Sequence, residues 1–349
     1  MDIEQLKKKD GQKWSEFIET HQNSSIYHTL EWKKVLEDTY GYKPHYLLAK
    51  NDTDEITGIL PLFEVKSFIF GNRLVSLPFS YCAGALYTDM DSAAKLLDYA
   101  IDLTIEQDFD YLELKQGLSD LDESKLVKTE EYVTSILKLS KNSDDIWKNV
   151  KRDKKRGIKK AQKEGVVVRE IRNKEELKEF YTMVLETRKG QGVPPYPFSF
   201  FENMYKYMKD SLKIFFSYYK DNPVAGGIFQ LHKNKVLYGY GMTRKEEALL
   251  KLYPMNLLIW KAIEWACKNN YTMFDFGATP IKQESLLYFK SSWGAETQKV
   301  PYYYFLNRIK EPLVFNPISS RFKLMTTIWK KIPIPIAKRI GPYIIRHVG

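Results

Sequence analysis

The residues best suited to catalysis lie close together in the second half of the chain. Asp275 ends a short apolar segment and is followed by Gly277, where a ligand can approach the backbone closely. Lys290 follows two aromatic residues and precedes Trp293, so its ammonium group is expected to be partly desolvated. The pattern predicts that Lys290 stabilises a developing oxyanion, while Asp275 orients an amine or accepts its proton. The alternative is a surface lysine whose stem lies along the rings.

Other catalytic patterns are missing from the sequence. The five histidines form no metal-ligand spacing, and neither a G-x-S-x-G elbow nor a Walker-type phosphate loop is present. The two cysteines, Cys82 and Cys267, lie far apart, which excludes a disulfide framework and suits a reducing cytoplasm. Met1–Asp10 is charged and no apolar run reaches the ~20 residues of a membrane helix, so we expect neither a secretory signal nor a membrane span.

The basic residues are concentrated in two segments. The chain has 349 residues, 44% of them hydrophobic, and this length and composition predict a folded protein of about two domains. Its net charge is +10, and Lys148–Lys163 contains nine Lys and Arg residues with one acid. Seven more follow Glu311 without any acid. Each segment is expected to face a polyanion such as nucleic acid, a phosphorylated substrate or anionic lipid, the alternative being a solvated helix face.

The two halves of the chain repeat one pattern of elements. Each contains a β-hairpin, then an amphipathic helix, then a short strand with one acid; the helices are predicted at about Ser92–Glu106 and Pro254–Lys268. Matching elements are separated by about 165 residues, which favours duplication of one α/β unit. The predicted fold is α/β (α+β), with two tandem units of mostly antiparallel sheet flanked by helices. The boundaries predicted are 1–140, 141–310 and a basic tail 311–349.

Several segments of the sequence resemble the Fem aminoacyltransferase family, whose members are tandem copies of the GNAT acyltransferase fold. The resemblance covers residues 10–305, and its most specific part is the combination of the last two segments. The matching segments are Thr29–Lys34, Leu60–Phe63, Lys148–Val166, Pro194–Pro197, Leu257–Ile263, Asp275–Gly277 and Phe289–Gly294.

The resemblance implies two tandem GNAT-like domains and transfer of an aminoacyl group from tRNA to an amine of a peptidoglycan precursor. It implies that Lys290 is the lysine that stabilises the transition state. The sequence departs from precursor-binding members at Leu36, where they carry Lys, and at Tyr196, where they carry Arg. Ala278-Thr279 replaces a further glycine. These departures favour the less characterised, GNAT-like branch of the family.

We expect the substrates to be held by residues of both halves. No bound cofactor is predicted: aminoacyl-tRNA is the expected co-substrate, and Thr243–Tyr253 lacks the glycines with which acyl-CoA enzymes cradle a pyrophosphate. The substrate-binding candidates are Trp32, Lys33, Tyr81, Tyr196, Tyr240, Gly277, Thr279 and Trp293. The phosphate- or tRNA-binding candidates are Lys151, Arg152, Lys155, Arg156 and Lys159.

The tail mixes cations with apolar residues, and Phe322, Met325 and Trp329 are spaced as one helical stripe. This pattern predicts either an interfacial anchor on an anionic membrane or a segment packed on the second domain. We therefore expect a cytoplasmic protein, peripheral at the inner face of the membrane if the tail binds lipid. Two other functions stay open: an acyl-CoA-dependent N-acyltransferase acting on an amino sugar of a surface polysaccharide, and a non-catalytic protein that binds membrane or nucleic acid.

Overall fold

A computed structural model describes residues 2–68, 70–116, 125–312 and 320–348, including their side chains except those of 320–324. The chain divides into two units. The first contains Met1–Glu131, Val300–Phe315 and Tyr343–Gly349, and the second contains Tyr132–Lys299 and Asn316–Pro342.

The described residues form helices and strands that alternate along the chain. The helices are α1 (Gly11–Thr20), α2 (Leu30–Tyr40), α3 (Met90–Glu106), α4 (Ser143–Asn149), α5 (Arg152–Lys163), α6 (Leu177–Gln191), α7 (Phe198–Met208), α8 (Glu247–Leu250), α9 (Pro254–Lys268), α10 (Glu284–Ser291), α11 (Ser320–Lys331) and α12 (Ile334–Ile345). The strands are β1 (Asp2–Gln5), β2 (Lys43–Lys50), β3 (Ile56–Val65), β4 (Arg73–Val75), β5 (Leu86–Tyr87), β6 (Tyr111–Lys115), β7 (Val127–Lys138), β8 (Val167–Glu170), β9 (Leu212–Tyr219), β10 (Asn222–His232), β11 (Lys235–Thr243), β12 (Met273–Pro280) and β13 (Glu296–Leu306).

The first unit has the strand order β1-β2-β3-β4-β6-β13. β4 and β6 run parallel, whereas the other pairs along this order are antiparallel. α3 lies between β4 and β6 in sequence and packs against β2 and β3. Asp89 caps this helix by accepting a hydrogen bond from the Ser92 amide, and Leu96, Ala100 and Leu103 on its apolar face are buried.

The second unit repeats this plan with the order β7-β12-β11-β10-β9-β8. Its one parallel pair, β11 and β12, is connected through α9. Phe180 of α6 lies beside Gly226 of β10, and Leu258 of α9 lies beside the next residue, Gly227. Because successive strand residues face opposite sides of a sheet, α6 and α9 cover opposite faces of β10.

The predicted α/β fold class is confirmed, since both units contain a mainly antiparallel sheet flanked by helices. The limits of the units differ from the predicted boundaries at residues 140 and 310. Tyr132–Lys138 pairs with β12 and so belongs to the second unit, and Tyr302–Leu306 pairs with β6 and so belongs to the first. These limits are set by strand pairing between residues far apart in sequence, and the local composition does not indicate which strands will pair.

The basic tail has both buried and exposed apolar residues. α11 packs against α6, and Trp329 is buried, while Met325 of the predicted stripe is 45% exposed. Phe322 lies outside the described side chains. On α12, Ala337 is buried, but Ile336 and Ile340 are 50% and 36% exposed. Within the described residues, no helix is both long enough and apolar enough to cross a membrane.

Candidate functional site

The carboxylate of Asp275 is fixed at an irregular part of β12. The pairing of β12 with β7 shifts register between Asp275 and Ala278, and Gly277 adopts a φ of 72°, which strains any other residue. This turn lets the Gly277 amide donate to Asp275 Oδ1 over 2.9 Å. The Thr134 hydroxyl donates to the same oxygen over 2.8 Å. Asp275 is 1% exposed, so these bonds hold a buried carboxylate in one orientation.

The ammonium group of Lys290 lies against the same turn. α10 places this side chain so that Nζ donates to the carbonyl oxygens of Gly277 at 2.6 Å and Ala278 at 3.3 Å. Lys290 is 4% exposed, and burial lowers the pKa of its amine to about 8, while the Asp275 charge acts in the opposite direction. The ammonium form still predominates at neutral pH. The contacts of Nζ are carbonyl oxygens, whereas its position in the sequence predicts aromatic rings around it.

The ladder between β11 and β12 ends beside this turn. The parallel pairing of β11 with β12 ends at Leu237 and Asp275, although both strands continue for several residues. Gly239 is the extra residue of a bulge, because Ile228 and Phe229 of β10 pair with Tyr240 and Tyr238. Gly239 therefore has no register partner in either neighbouring strand and is half-buried. Bulges of this kind disrupt the local ladder and are over-represented next to active sites.

The structure brings Tyr196 and Tyr240 together. Their ring centroids are 5.7 Å apart and nearly perpendicular, and Phe201 packs edge-on against both rings. Arg188 lies over the Tyr196 ring at 4.8 Å and donates to the Pro194 carbonyl oxygen, which fixes the segment before α7. Tyr196 and Phe201 therefore form an aromatic cluster with Tyr240 of β11.

Of the other substrate-binding candidates in the second unit, two are buried and one is half-buried. Thr279 is 0% exposed, and its hydroxyl has no hydrogen-bond partner within the described ranges. Trp293 is also 0% exposed and stacks on Phe276 at 6.5 Å, so it supports β12 from the core. Gly277 is half-buried at the turn itself.

The candidates in the first unit separate into two groups. Trp32 and Tyr81 are buried and both pack edge-on against Tyr27, at 5.1 and 5.9 Å between ring centroids. Lys33 instead pairs with Glu37 at 2.8 Å and belongs to the surface of α2. The first unit thus brings two of its three candidates together.

The basic helix α5 lies next to the helix that carries Lys290. Lys151, which precedes it, has its amide bonded to the Ser292 carbonyl oxygen and its ammonium group over the Tyr288 ring at 4.3 Å. Lys154 lies over the Phe289 ring at 4.9 Å. A polyanion bound to α5 would therefore lie beside α10.

The cations of α5 are directed mainly to solvent. Arg152, Arg156 and Lys159 are exposed, as is Lys151, while Lys155 is half-buried and donates to the Lys148 carbonyl oxygen. The opposite side of α5 is buried and packs against α9. One side of the helix therefore exposes a row of cationic side chains, while the other side is packed in the core.

Two residues near this site were not among the sequence candidates. Thr134, which bonds Asp275, lies on β7, 141 residues before it in the chain. Gln230 of β10 is buried with its amide unpartnered within the described part of the chain. A Thr or a Gln within a strand has no distinctive sequence signal. No cluster of three or more potential metal-ligating side chains occurs in the described residues.

The comparisons with known proteins agree with the described fold. Residues 148–290 match the family described as "Acetyltransferase (GNAT) domain". Among solved structures, FemX covers 88% of this chain and 98% of its own, with a TM-score of 0.68 and 15% identity. A tandem GNAT protein from the clavulanic acid biosynthesis pathway covers 89% and 99%, with a TM-score of 0.56 and 10% identity.

A third structure, L-PGS from Bacillus licheniformis, covers 90% of this chain and 96% of its own, with a TM-score of 0.52 and 10% identity. The comparison with curated proteins gives no match. At these identities the structural likeness establishes the fold, and the family match lies within the second unit. The chain is an acyltransferase that contains a match to a GNAT acetyltransferase domain at residues 148–290 and has a fold similar to that of FemX.

Proposed function

We propose that this acyltransferase moves an aminoacyl group from aminoacyl-tRNA to an amine of a cell-envelope precursor. The observation that carries the proposal is the contact of α5 with α10. A row of exposed cations, which binds phosphates without reading sequence, adjoins the helix that bears the buried Lys290. The similarity to FemX and to L-PGS supports the same reaction class.

The reaction needs no covalent intermediate on the protein. The amine nitrogen attacks the ester carbonyl carbon, a C–N bond forms, and the carbonyl oxygen becomes an oxyanion. Collapse breaks the C–O bond, and the proton lost by the amine balances the one gained by the departing ribose hydroxyl. Lys290 stabilises the negative charge of the oxyanion or of the leaving oxygen. Asp275, held by Thr134 and the Gly277 amide, orients the attacking amine or accepts its proton.

The tail supports an acceptor linked to lipid. Ile336 and Ile340 lie four residues apart on one face of α12 and are exposed, with Arg339 beside them. No acid follows Glu311, so the tail's charge suits an anionic surface. We therefore propose that the protein associates peripherally with the inner face of the membrane, where a lipid-linked amine is accessible.

A second candidate is transfer from an acyl-CoA to an amino sugar of a surface polysaccharide. It is favoured by the match of residues 148–290 to an acetyltransferase domain. The segment Thr243–Tyr253 before α9 contains no glycine, which weakens a pyrophosphate site at that helix. This candidate requires CoA binding in place of tRNA binding.

A panel of charged tRNAs and acyl-CoAs, tested for protection against thermal unfolding, distinguishes the two donors. We expect a charged tRNA to raise the Tm of the protein and to transfer its labelled amino acid to an amine. Lys290→Met should reduce the transfer by about 10²–10³-fold but keep the protection. The matched control is Lys268→Met, which replaces an exposed lysine at the end of α9. Protection by acyl-CoA and by no tRNA would replace the proposal with the second candidate.

A further inference from the structure

Two exposed tyrosines flank the basic helix α5. Tyr288 of α10 is 53% exposed, and Tyr253, which directly precedes α9, is 40% exposed. The Lys151 ammonium group lies 4.3 Å from the centroid of the Tyr288 ring, and that of Lys160 lies 5.7 Å from the centroid of the Tyr253 ring. Each ring therefore has a cation on one face and retains exposed surface for a ligand.

The backbone holds Tyr253 in a conformation that is unfavourable for tyrosine. Its φ of 54° and ψ of 44° lie in the left-handed region, and its side chain makes no capping hydrogen bond to α9. Gly157 lets α5 approach the ring closely, because a Cβ atom there would lie 3.1 Å from Cγ of Tyr253. Non-glycine residues held in this region cluster at binding sites.

The exposed cations of α5 lie along the helix between the two contacts. Lys151 directly precedes the helix and Lys160 is near its end, so these two positions are about 14 Å apart along the axis. Arg152, Arg156 and Lys159 are exposed between them. A polyanion bound along this row of cations can therefore place a flat group on each ring.

The combination of rings and cations favours an unpaired nucleic acid strand. Unpaired bases stack on aromatic side chains while cations bind the neighbouring phosphates, and this binding tolerates any sequence. Bases within a duplex are stacked on each other and offer no free face. A membrane surface would instead need exposed apolar side chains among the cations, whereas Ile158 and Ala161 of α5 are buried.

We propose that Tyr288 and Tyr253 stack unpaired bases at the 3′ end of the tRNA. Tyr288 lies two residues before Lys290 on α10. A terminal nucleotide stacked on the Tyr288 ring would therefore hold its ribose, which carries the aminoacyl ester, beside the helix that bears the reacting cation. Tyr288 is a positioning residue for the donor, and Tyr253 binds the strand further from the ester. This inference rests on the proposed transfer from tRNA.

The test compares two RNA hairpins with the same stem, one with an unpaired 3′ overhang and one with a blunt end. We expect the wild-type protein to bind the overhang hairpin more tightly. Tyr288→Leu should weaken binding of the overhang hairpin by roughly 5- to 150-fold, the loss expected when one base no longer stacks, and leave binding of the blunt hairpin unchanged. Tyr253→Leu should show the same pattern. Tyr288→Phe keeps the ring and should bind both hairpins as the wild type does.

The matched control is Tyr207→Leu. Tyr207 also has a lysine over its ring, since the Lys206 ammonium group lies 4.3 Å from its centroid. It belongs to α7, which packs against α6, whereas α5 packs against α9 on the opposite face of the sheet. We expect this variant to bind both hairpins as the wild type does.

The salt dependence separates stacking from charge. Because stacking releases no counterions, Tyr288→Leu should lower the affinity for the overhang hairpin without changing its salt slope. Equal wild-type affinities for the two hairpins, or an unaltered affinity of Tyr288→Leu, would overturn the stacking site and leave tRNA as the donor. If Tyr288→Leu instead lost binding to phosphatidylglycerol vesicles and kept RNA binding, the rings would belong to a membrane surface. No RNA binding by the wild type would overturn this inference together with the proposed donor.

Discussion

Replacing Lys290 by methionine should remove activity and at the same time change how stability depends on pH. Methionine keeps the length of the side chain but loses the ammonium group. Loss of one donor to a developing oxyanion lowers kcat by about 10²–10³-fold. The stability effect follows from burial, which lowers the pKa of Lys290 from 10.5 to about 8 in the folded protein.

The magnitude follows from proton linkage. Between pH 8 and 10.5 the unfolded chain holds a proton on this lysine that the folded chain has lost, so stability rises with pH across this window. From pH 7 to pH 10, this one group adds about 2–3 kcal/mol to the free energy of unfolding. Below pH 8 the folded protein carries the full cost of a buried charge. The Lys290→Met variant lacks this pH-dependent contribution to the free energy of unfolding.

The assay is urea unfolding of wild type and variant at pH 7 and pH 10. Other groups titrate in both proteins, so the difference between their pH responses isolates Lys290. We expect the wild type to gain about 2–3 kcal/mol relative to Lys290→Met between the two pH values. The exposed-lysine variant Lys268→Met should behave as wild type. Equal pH responses of wild type and Lys290→Met would refute a buried ammonium group.

Three further predictions test the site and the basic helix. The rate of transfer should fall above about pH 8, where Lys290 loses its proton, and this descending limb should be absent from the residual activity of Lys290→Met; a rate that keeps rising to pH 10 would contradict the role of the ammonium form. Changing Arg152, Arg156 and Lys159 together to Gln should weaken tRNA binding and reduce its salt slope by about 2, with the circular dichroism spectrum unchanged because all three are exposed; unaltered affinity would exclude α5 from the tRNA surface. Gly277→Ala should cost about 1–2 kcal/mol in urea unfolding, because its φ of 72° is unfavourable for alanine; wild-type stability would mean that this turn is not strained.

The sequence predicts the elements of the fold well where one helix or hairpin is encoded locally. The apolar stripe of α9 and the proline at its first position predict Pro254–Lys268, and the structure has this helix with the same limits. The hairpin of β9 and β10 is likewise encoded by turn formers beside its end. Apolar periodicity and turn-forming residues are local features that span only a few residues, so both can be recognised directly in the sequence.

Pairing between strands that are distant in sequence is harder to predict from the sequence. Tyr132–Lys138 pairs with β12, more than 130 residues further along the chain, and this pairing places Thr134 on Asp275. No feature of the segment around Thr134 indicates its partner, because any β-rich segment with alternating side chains fits many sheets. The limits of the two units and the orientation of Asp275 both depend on this register.

The residues of the candidate site likewise divide into those with a local sequence signal and those without one. Lys290 and Asp275 are distinguished in sequence by charge next to aromatic residues and by a glycine, and the structure places both at one turn. Gln230 is distinguished only by being buried without a side-chain partner among the described residues, which is a property of the folded chain. A polar residue in an otherwise apolar strand is the weak signal that was available in the sequence.

The most direct measurement of the central claim is a single-turnover assay with a labelled aminoacyl-tRNA and a primary amine. We expect the wild-type protein to move the label to the amine, Lys268→Met to do so at the same rate, and Lys290→Met to retain tRNA binding with at least a hundredfold loss of transfer. Transfer by Lys290→Met at the wild-type rate would contradict the assignment of the buried ammonium group to the reaction.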